Sequence, residues 1–237
     1  MKIAIIPARG GSKRIPRKNI KLFHGKPIIA YSIDAAKASG CFDKIIVSTE
    51  DQQIAQIAIE FGAEVPFLRP SKISDDNSTS LEVMTHAVQW CENAGWNPEE
   101  VCCIYATAPF LLPNDIQKGH SLLAEDNVQF SFGATLFPFP IQRAIKIDEK
   151  GGVSMFYEEH EKTRSQDLED AYHDVGQFYW GKKRAFLEGF PLFSRHSKAV
   201  LIPRARAQDI DTAEDWEFAE SLYYIQEKVN AEDIVKA

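Results

Sequence analysis

Short continuous apolar runs alternate along the chain with segments in which apolar residues recur every three or four positions. The first pattern predicts buried strands and the second predicts helices. The apolar run from Ile3 to Pro7 is rich in Ile, which is typical of a buried parallel strand. After Asp51, apolar residues recur at i, i+3, i+4 and i+7 from Ile54, which predicts a helix with one buried face that ends at Gly62. Further strands are predicted over 44–49, 64–68, 101–105, 130–136 and 197–202, and further helices over 28–39, 81–91, 114–125, 182–189 and 215–229.

This alternation predicts an α/β fold, with a Rossmann-like, mostly parallel sheet flanked by helices. The chain has 237 residues and is 44% hydrophobic, which is enough to bury the core of one domain spanning residues 1–237. Residues 137–174 break the alternation, because their short strand-like pieces over 144–148 and 152–156 are joined by turn residues. We therefore expect this segment to be an inserted lobe.

The first predicted strand runs directly into a glycine-rich, cationic loop. Gly10 and Gly11 allow a tight turn that presents backbone N–H groups to anionic oxygens, and Ser12 adds a hydroxyl donor. Eight Lys and Arg residues precede Asp34, the first acidic residue of the chain. Such a basic stretch could instead be a solvated surface or an arm that binds nucleic acid. The local concentration of charge favours a polyphosphate site.

The overall charge and the motifs exclude several classes of protein. The chain has 34 acidic residues against 27 basic ones and a net charge of -7, which argues against binding along a nucleic-acid backbone. The loop matches neither the dinucleotide-binding nor the P-loop motif, and neither Cys-x-x-Cys nor His-Glu-x-x-His occurs. No apolar run is long enough to span a membrane. We therefore expect a cytoplasmic protein.

The loop sequence Ile6-Pro7-Ala8-Arg9-Gly10-Gly11-Ser12-Lys13, followed by Pro16, Lys18 and Asn19, resembles the nucleotide loop of the sugar-acid cytidylyltransferases. These enzymes activate sialic acids and related sugars as CMP conjugates. The resemblance extends over nearly the whole chain and implies a fold of the nucleotide-diphospho-sugar transferase type, in which the inserted lobe serves dimerisation. The nucleotide-binding residues that it implies are Ala8, Arg9, Gly10, Gly11, Ser12, Lys13, Lys18, Asn19, Arg69 and Ser80.

Arg69 and Ser80 belong to a second polar segment between predicted elements. The local pattern alone leaves open whether Thr79 or Ser80 only caps the helix that follows. In the resembling family the corresponding segment lies at the nucleotide. The resemblance therefore favours a binding role for both Arg69 and Ser80.

Two further segments, around Arg164 and around Tyr179, are expected to bind the acceptor sugar. Arg164 can hold a carboxylate with two hydrogen bonds, Gln166 and Gln177 can bond hydroxyl or acylamino groups, and Tyr179 can form an apolar wall. The alternative is that the aromatic residues around Tyr179 are core residues of a strand. Tyr105, which stands where sialate enzymes have Gln, is also expected to bind the sugar. These segments resemble the pseudaminic acid cytidylyltransferases more than the sialate enzymes.

Asp209 and Asp211 lie two residues apart in a predicted extended segment, so both carboxylates point to one side while Ile210 is buried opposite. Two such carboxylates suit a hard cation, and the resemblance makes this pair the family's Mg²⁺ site. The alternative is that Asp211 caps the C-terminal helix.

The resemblance implies a homodimer that binds CTP and a nonulosonic acid sugar, without a nucleic acid or a membrane as partner. The anomeric hydroxyl of the sugar attacks the α-phosphate and releases pyrophosphate. Arg9, Lys18 and Asp211 are the expected catalytic residues, and His173 is a candidate base. Alternatives are a cytidylyltransferase for N-acetylneuraminate, legionaminate or 3-deoxy-manno-octulosonate, a non-catalytic nucleotide-binding module and a nucleic-acid-binding protein.

Overall fold

The computed structural model of the protein describes residues 1–75 and 78–236, with side chains as far as residue 229. The strands are β1 (Lys2–Pro7), β2 (Leu22–Phe23), β3 (Lys26–Pro27), β4 (Lys44–Ser48), β5 (Glu100–Ile104), β6 (Phe130–Leu136), β7 (Ile145–Ile147), β8 (Val153–Met155), β9 (Tyr172–Lys182) and β10 (Ser197–Leu201). The α-helices are α1 (Ile28–Ser39), α2 (Gln52–Glu60), α3 (Ser80–Asn93), α4 (Pro113–Leu123), α5 (Lys183–Leu187) and α6 (Ala213–Lys236).

Six strands form the central sheet in the order β10-β6-β9-β5-β1-β4. β1 is parallel to β4 and β5, and β10 is parallel to β6, whereas β9 lies antiparallel between β5 and β6. The predicted α/β fold with a mostly parallel sheet is therefore confirmed. Because parallel strands end at the same edge, the loops after β1, β4 and β5 meet there.

The core has a layer of helices on each face of the sheet. Alternate residues of β1 point to opposite faces. Ala4 and Ile6 belong to the cluster that contains residues of α1, α2 and α4, while Ile3 and Ile5 belong to the cluster that contains residues of α3 and α5. All four side chains are fully buried. The continuous apolar run in the sequence is explained by this burial on both faces.

A third, smaller cluster joins the two ends of the chain. Phe23 and Trp216 are buried in edge-to-face contact, with ring centroids 5.5 Å apart, and Ile210 is fully buried beside them. Packing of the start of α6 against the segment after the glycine-rich loop brings residues from opposite ends of the sequence together. This contact positions the functional site.

The strand predicted over 64–68 is wrong. Only Glu64 and Leu68 form isolated bridges, to Ile46 and Thr49 respectively. Pro66 lies between them and has no N–H to donate, so a continuous ladder with β4 cannot form. The segment still runs beside the sheet and delivers Arg69 to its edge.

Residues 137–171 lie outside the central sheet. They contain the β7–β8 hairpin and three short 3-10 turns, and several of their apolar side chains are exposed. Phe139 is 78% exposed and Ile147 is 68% exposed. Within the described part of the chain, no helix has the length and apolar character needed to cross a bilayer.

Candidate active site

A cleft of about 570 Å³ opens at the carboxyl edge of the sheet. Its walls come from the glycine-rich loop, the segment after Arg69, the start of α3, the end of β5 and the segment before α6. Segments near both ends of the chain therefore contribute to one cavity. The polar residues that line it are Arg9, Ser12, Lys13, Arg14, Lys18, Asn19, Arg69, Ser74, Asp75, Ser78, Ser80, Tyr105, Thr107 and Asp211.

The glycine-rich loop is held by hydrogen bonds to its own backbone and to the end of β4. The N–H of Ala8 donates to the carbonyl of Ser48 at 3.0 Å, and the N–H of Gly10 donates to Glu50 Oε1 at 2.7 Å. The side-chain amide of Asn19 donates to the carbonyl of Arg9 at 2.9 Å. Asn19 thus fixes the turn while also lining the cleft.

The two glycines of the loop have different surroundings. A Cβ on Gly10 would lie 2.5 Å from Asp51 Oδ2, so this position requires glycine because a carboxylate packs against it. A Cβ on Gly11 would have no heavy atom within 4 Å. Gly11 therefore has open space beside its backbone, next to the cleft-lining residue Ser12, and a turn of this kind can bind an anion.

Not every cation of the loop faces the cleft. Arg17, in a left-handed conformation with φ 56°, forms two ionic hydrogen bonds with Asp51 and a third hydrogen bond with Gln53. Asp51 also caps α2, and the hydrogen bond from Arg17 is the main reason why its pKa falls to about 2. Arg17 therefore anchors the loop to α2.

The cationic loop and the acidic segment meet in direct contact. Lys18 Nζ donates to Asp211 Oδ1 at 3.1 Å and to the carbonyl of Ile210 at 2.7 Å. Arg14 donates to the other oxygen, Asp211 Oδ2, at 2.7 Å. Residues 193 positions apart in sequence are thus brought together at one end of the cleft.

The segment before α6 has the alternation that the sequence predicts. Ile210 is fully buried, whereas Asp209 and Asp211 lie on the accessible side. Partial burial, together with the negative charge of Asp211, raises the pKa of Asp209. A carboxylate whose charged form is disfavoured in this way is stabilised by a nearby cation. Among the described residues, no group of three or more potential metal ligands is present.

Capping of α6 is carried out by other residues than Asp211. The hydroxyl of Thr212 accepts from the N–H of Asp215, and the Asp215 carboxylate accepts from the N–H groups of Asp211 and Thr212. The capping alternative for Asp211 is therefore wrong. Its carboxylate is directed to the two cations instead.

Ser80 is likewise not the cap of its helix. Thr79 and Glu82 form a capping box at the start of α3, which leaves the Ser80 hydroxyl 3.3 Å from the hydroxyl of Tyr105. Arg69, with its side chain only 3% exposed, donates to Glu50 Oε2 at 2.9 Å and to Ser74 Oγ at 3.2 Å. Both Arg69 and Ser80 line the cleft.

A second cavity of about 510 Å³ adjoins the cleft and shares Ser80 and Tyr105 with it. Its walls are mostly apolar, and Asp174 is its one carboxylate among the described residues. The hydroxyl of Tyr179 donates to this carboxylate, and burial is the main reason why the pKa of Tyr179 is raised. The apolar lining residues are Leu81, Met84, Cys103, Phe130, Phe186, Phe190, Pro191, Leu192 and Phe193.

A family model described as "Cytidylyltransferase" matches residues 3–233. The chain belongs to the cytidylyltransferase family. It is 46% identical over 230 residues to a pseudaminic acid cytidylyltransferase of Campylobacter jejuni, and 97% of each chain is covered. It is 30% identical over 238 residues to a CMP-N,N'-diacetyllegionaminic acid synthase of Legionella pneumophila, with 95% of this chain and 97% of the relative covered.

The comparison with solved structures also concerns a CMP-sugar synthetase. A CMP:2-keto-3-deoxy-manno-octonic acid synthetase complexed with CTP superposes with a TM-score of 0.68 at 16% identity, covering 95% of this chain and 99% of that one. At this identity the likeness concerns the fold alone. It agrees with the expected nucleotide-diphospho-sugar transferase type.

The structure separates the residues predicted for sugar binding. Tyr105 and Tyr179 line the second cavity, whereas Gln177 is 1% exposed and its amide donates to the carbonyl of Arg206. Arg164 and Gln166 are exposed on the segment outside the sheet, where Arg164 pairs with Asp167, and neither lines the two cavities.

Several residues at the two cavities have no signal in a single sequence. Glu50, just after β4, supports the loop, and Asp174 lines the second cavity. His173 lines neither cavity, and its Nδ1 is hydrogen-bonded to the backbone carbonyl of Asp174. The aromatic wall at Phe190 and Phe193 follows α5 in a segment without any recognisable motif.

Proposed function

We propose that the protein is a pseudaminic acid cytidylyltransferase, which transfers CMP from CTP to the anomeric hydroxyl of this nine-carbon sugar acid and releases pyrophosphate. The 46% identity to the Campylobacter jejuni enzyme over 97% of both chains supports the acceptor. The observation that carries the proposal is the contact of Lys18 with Asp211, because it brings the cationic glycine-rich loop and a carboxylate from near the other end of the chain to one cleft.

In this proposal the glycine-rich loop binds the triphosphate. Arg9, Ser12 and Lys13 line the cleft beside the open backbone of Gly11, so that N–H, hydroxyl and cationic donors converge. Lys18, at the far end of the cleft, offsets charge on the transferring phosphoryl group and on the leaving pyrophosphate. These fixed donors stabilise the transition state without reorganisation.

Asp209 and Asp211 are the proposed ligands of Mg²⁺. Two carboxylate groups on one side of an extended segment, one with a raised pKa, suit a hard divalent cation. Such a cation orients phosphate oxygens and neutralises their charge. The cationic partners of Asp211 hold this carboxylate toward the triphosphate in the same cleft.

The second cavity is the proposed acceptor site. Its apolar wall suits the acyl groups of the sugar, while Tyr105, Tyr179 and Asp174 supply polar contacts. Tyr105 borders both cavities, so a sugar bound here lies next to the nucleotide.

We also propose that residues 137–174 form the dimerisation lobe. A second copy of the chain would cover its exposed apolar side chains, including Phe139, Ile147 and Phe156, and would bring Arg164 and Gln166 to the acceptor site of the other subunit. Light scattering should give twice the mass of one chain, and a single-chain mass would contradict this.

The cysteines are free thiols, which supports the cytoplasm, a reducing compartment, as the proposed location.

The activity is tested with CTP, Mg²⁺ and a panel of sugar acids, by pyrophosphate detection and mass analysis of the CMP product. We expect the highest kcat/KM with pseudaminic acid, above legionaminate, N-acetylneuraminate and 3-deoxy-manno-octulosonate. A higher kcat/KM with another acid would show that this other acid, and not pseudaminic acid, is the acceptor. Binding of CTP without pyrophosphate release from any acceptor would indicate a non-catalytic nucleotide-binding module, and salt-dependent binding to DNA or RNA would contradict the proposed partners.

A further inference from the structure

Glu50 contacts two parts of the cleft wall, the glycine-rich loop and Arg69. Its Oε1 accepts from the N–H of Gly10 at 2.7 Å, and its Oε2 accepts from Arg69 Nη2 at 2.9 Å. It does not line the cleft itself. Its side chain is 27% exposed, whereas that of Arg69 is 3% exposed, so Glu50 provides the carboxylate that a buried guanidinium requires.

Arg69 is oriented at both edges of its guanidinium. Nε donates to Ser74, and Nη2 donates to Glu50. Within the described residues, the Nη1 group keeps its donors for a ligand, and Arg69 lines the cleft. A buried arginine that lines a cavity and is held at two of its three nitrogens is preorganised to bind an acceptor group there.

The same carboxylate fixes the backbone next to the open turn at Gly11. Because the N–H of Gly10 is bonded to Glu50, the following peptide is held in the conformation that leaves open space beside Gly11. One side chain thus fixes both the loop on one wall and the arginine on the other.

We propose that Glu50 is a positioning residue for the nucleotide, acting by locking the glycine-rich loop to Arg69 in the geometry that binds CTP. The proposal rests on the proposed function for the identity of the nucleotide. It assigns to Glu50 no contact with substrate, so its effect must appear through the two groups that it holds.

The test is the variant Glu50→Gln. Glutamine has one acceptor oxygen, so its NH₂ group must face either the N–H of Gly10 or the guanidinium of Arg69, a donor against a donor. Loss of a charged hydrogen bond predicts that the KM for CTP rises about tenfold, while the KM for the sugar acid changes little. The melting temperature should fall as well, because the buried guanidinium of Arg69 loses its carboxylate partner. Glu50→Asp, one methylene too short to reach both partners, should raise the KM for CTP in the same way.

The matched control is Glu64→Gln, which removes the carboxylate partner of Lys44 on the exposed side of the opposite end of β4. We expect its KM for CTP to equal that of the unaltered protein. Combining Glu50→Gln with Arg69→Gln should raise the KM for CTP by much less than the product of the two single effects, because both variants disturb one unit.

Calorimetric titration of CTP, without an acceptor sugar, separates the two proposals. Weaker CTP binding by Glu50→Gln supports the positioning role even if the sugar panel yields no product. An unchanged CTP affinity in Glu50→Gln and Glu50→Asp would overturn it. So would a parallel loss of melting temperature and of affinity for both substrates, which would indicate a structural role alone.

Discussion

The cleft and the second cavity share Tyr105 but are built in different ways. The cleft is polar, and its cations are held by carboxylates such as Asp211 and by backbone carbonyls. The second cavity is walled by apolar side chains around one carboxylate, Asp174, that is bonded to Tyr179. Binding of a polyphosphate depends on fixed charge, whereas binding of an acylated sugar depends on shape and a few hydrogen bonds.

The largest effect is expected from the contact between the two ends of the chain. Lys18→Ala and Asp211→Asn should each lower kcat by about 100-fold to 1000-fold, because each removes a charge that stabilises the transferring phosphoryl group or its cation. Steady-state pyrophosphate release measures this. Lys26→Ala is the matched control, since Lys26 pairs with Asp34 outside both cavities. Near-normal turnover in Asp211→Asn would remove this carboxylate from the site.

A smaller effect, confined to the acceptor, is expected in the second cavity. Tyr179→Phe removes the hydroxyl that donates to Asp174, and the KM for the sugar acid should rise about tenfold while the KM for CTP stays the same. The control is Tyr31→Phe, whose hydroxyl donates to the carbonyl of Phe23 away from both cavities. If the KM for CTP rises instead, the division between the cavities is wrong.

The smallest effect on activity is expected at the anchor beneath the loop. The pKa of Asp51 is lowered to about 2, so its pair with Arg17 stabilises the fold above pH 4 and this stabilisation is lost as the pH falls toward 2. Because Arg17 is partly exposed, we expect about 1–2 kcal/mol. Asp51→Asn should retain the cap of α2 and lose only this pH-dependent part.

Thermal unfolding from pH 7 to pH 2 checks this expectation. The curves of Asp51→Asn and the unaltered protein should converge as the pH approaches 2, whereas Asp34→Asn should change stability little at any pH. A constant difference across the range would show that the ionic pair with Arg17 is not the cause.

The two cavities also differ in how far the sequence predicts them. The loop from Ala8 to Asn19 is one continuous motif, so its glycines and cations indicate a phosphate site without any distant partner. Asp209 and Asp211 are only two residues apart, so their common side is also predicted from local spacing. In the structure Ile210 is buried, as the alternation predicts, and Asp211 contacts Lys18 of the loop. The second cavity combines α3, β9 and the segment after α5, and no local spacing connects these.

Where a residue's role depends on a distant partner, sequence reasoning fails for an identifiable reason. Arg17 is a cation of the loop like Lys18, but it pairs with Asp51 at the start of α2. Gln177 alternates with Tyr179 along β9, yet the sheet buries it against the carbonyl of Arg206. Pro66 extends the apolar run that predicts a strand over 64–68. Because Pro66 has no N–H, this segment forms only the isolated bridges at Glu64 and Leu68.

The most direct test of the account is a crystal structure with CTP and Mn²⁺, whose anomalous signal locates the cation. The account predicts the Mn²⁺ peak between Asp209 or Asp211 and the phosphates, with the triphosphate against the backbone of Gly11 and the side chains of Ser12 and Lys13. A triphosphate bound away from the glycine-rich loop, or a cation that contacts neither aspartate, would contradict it.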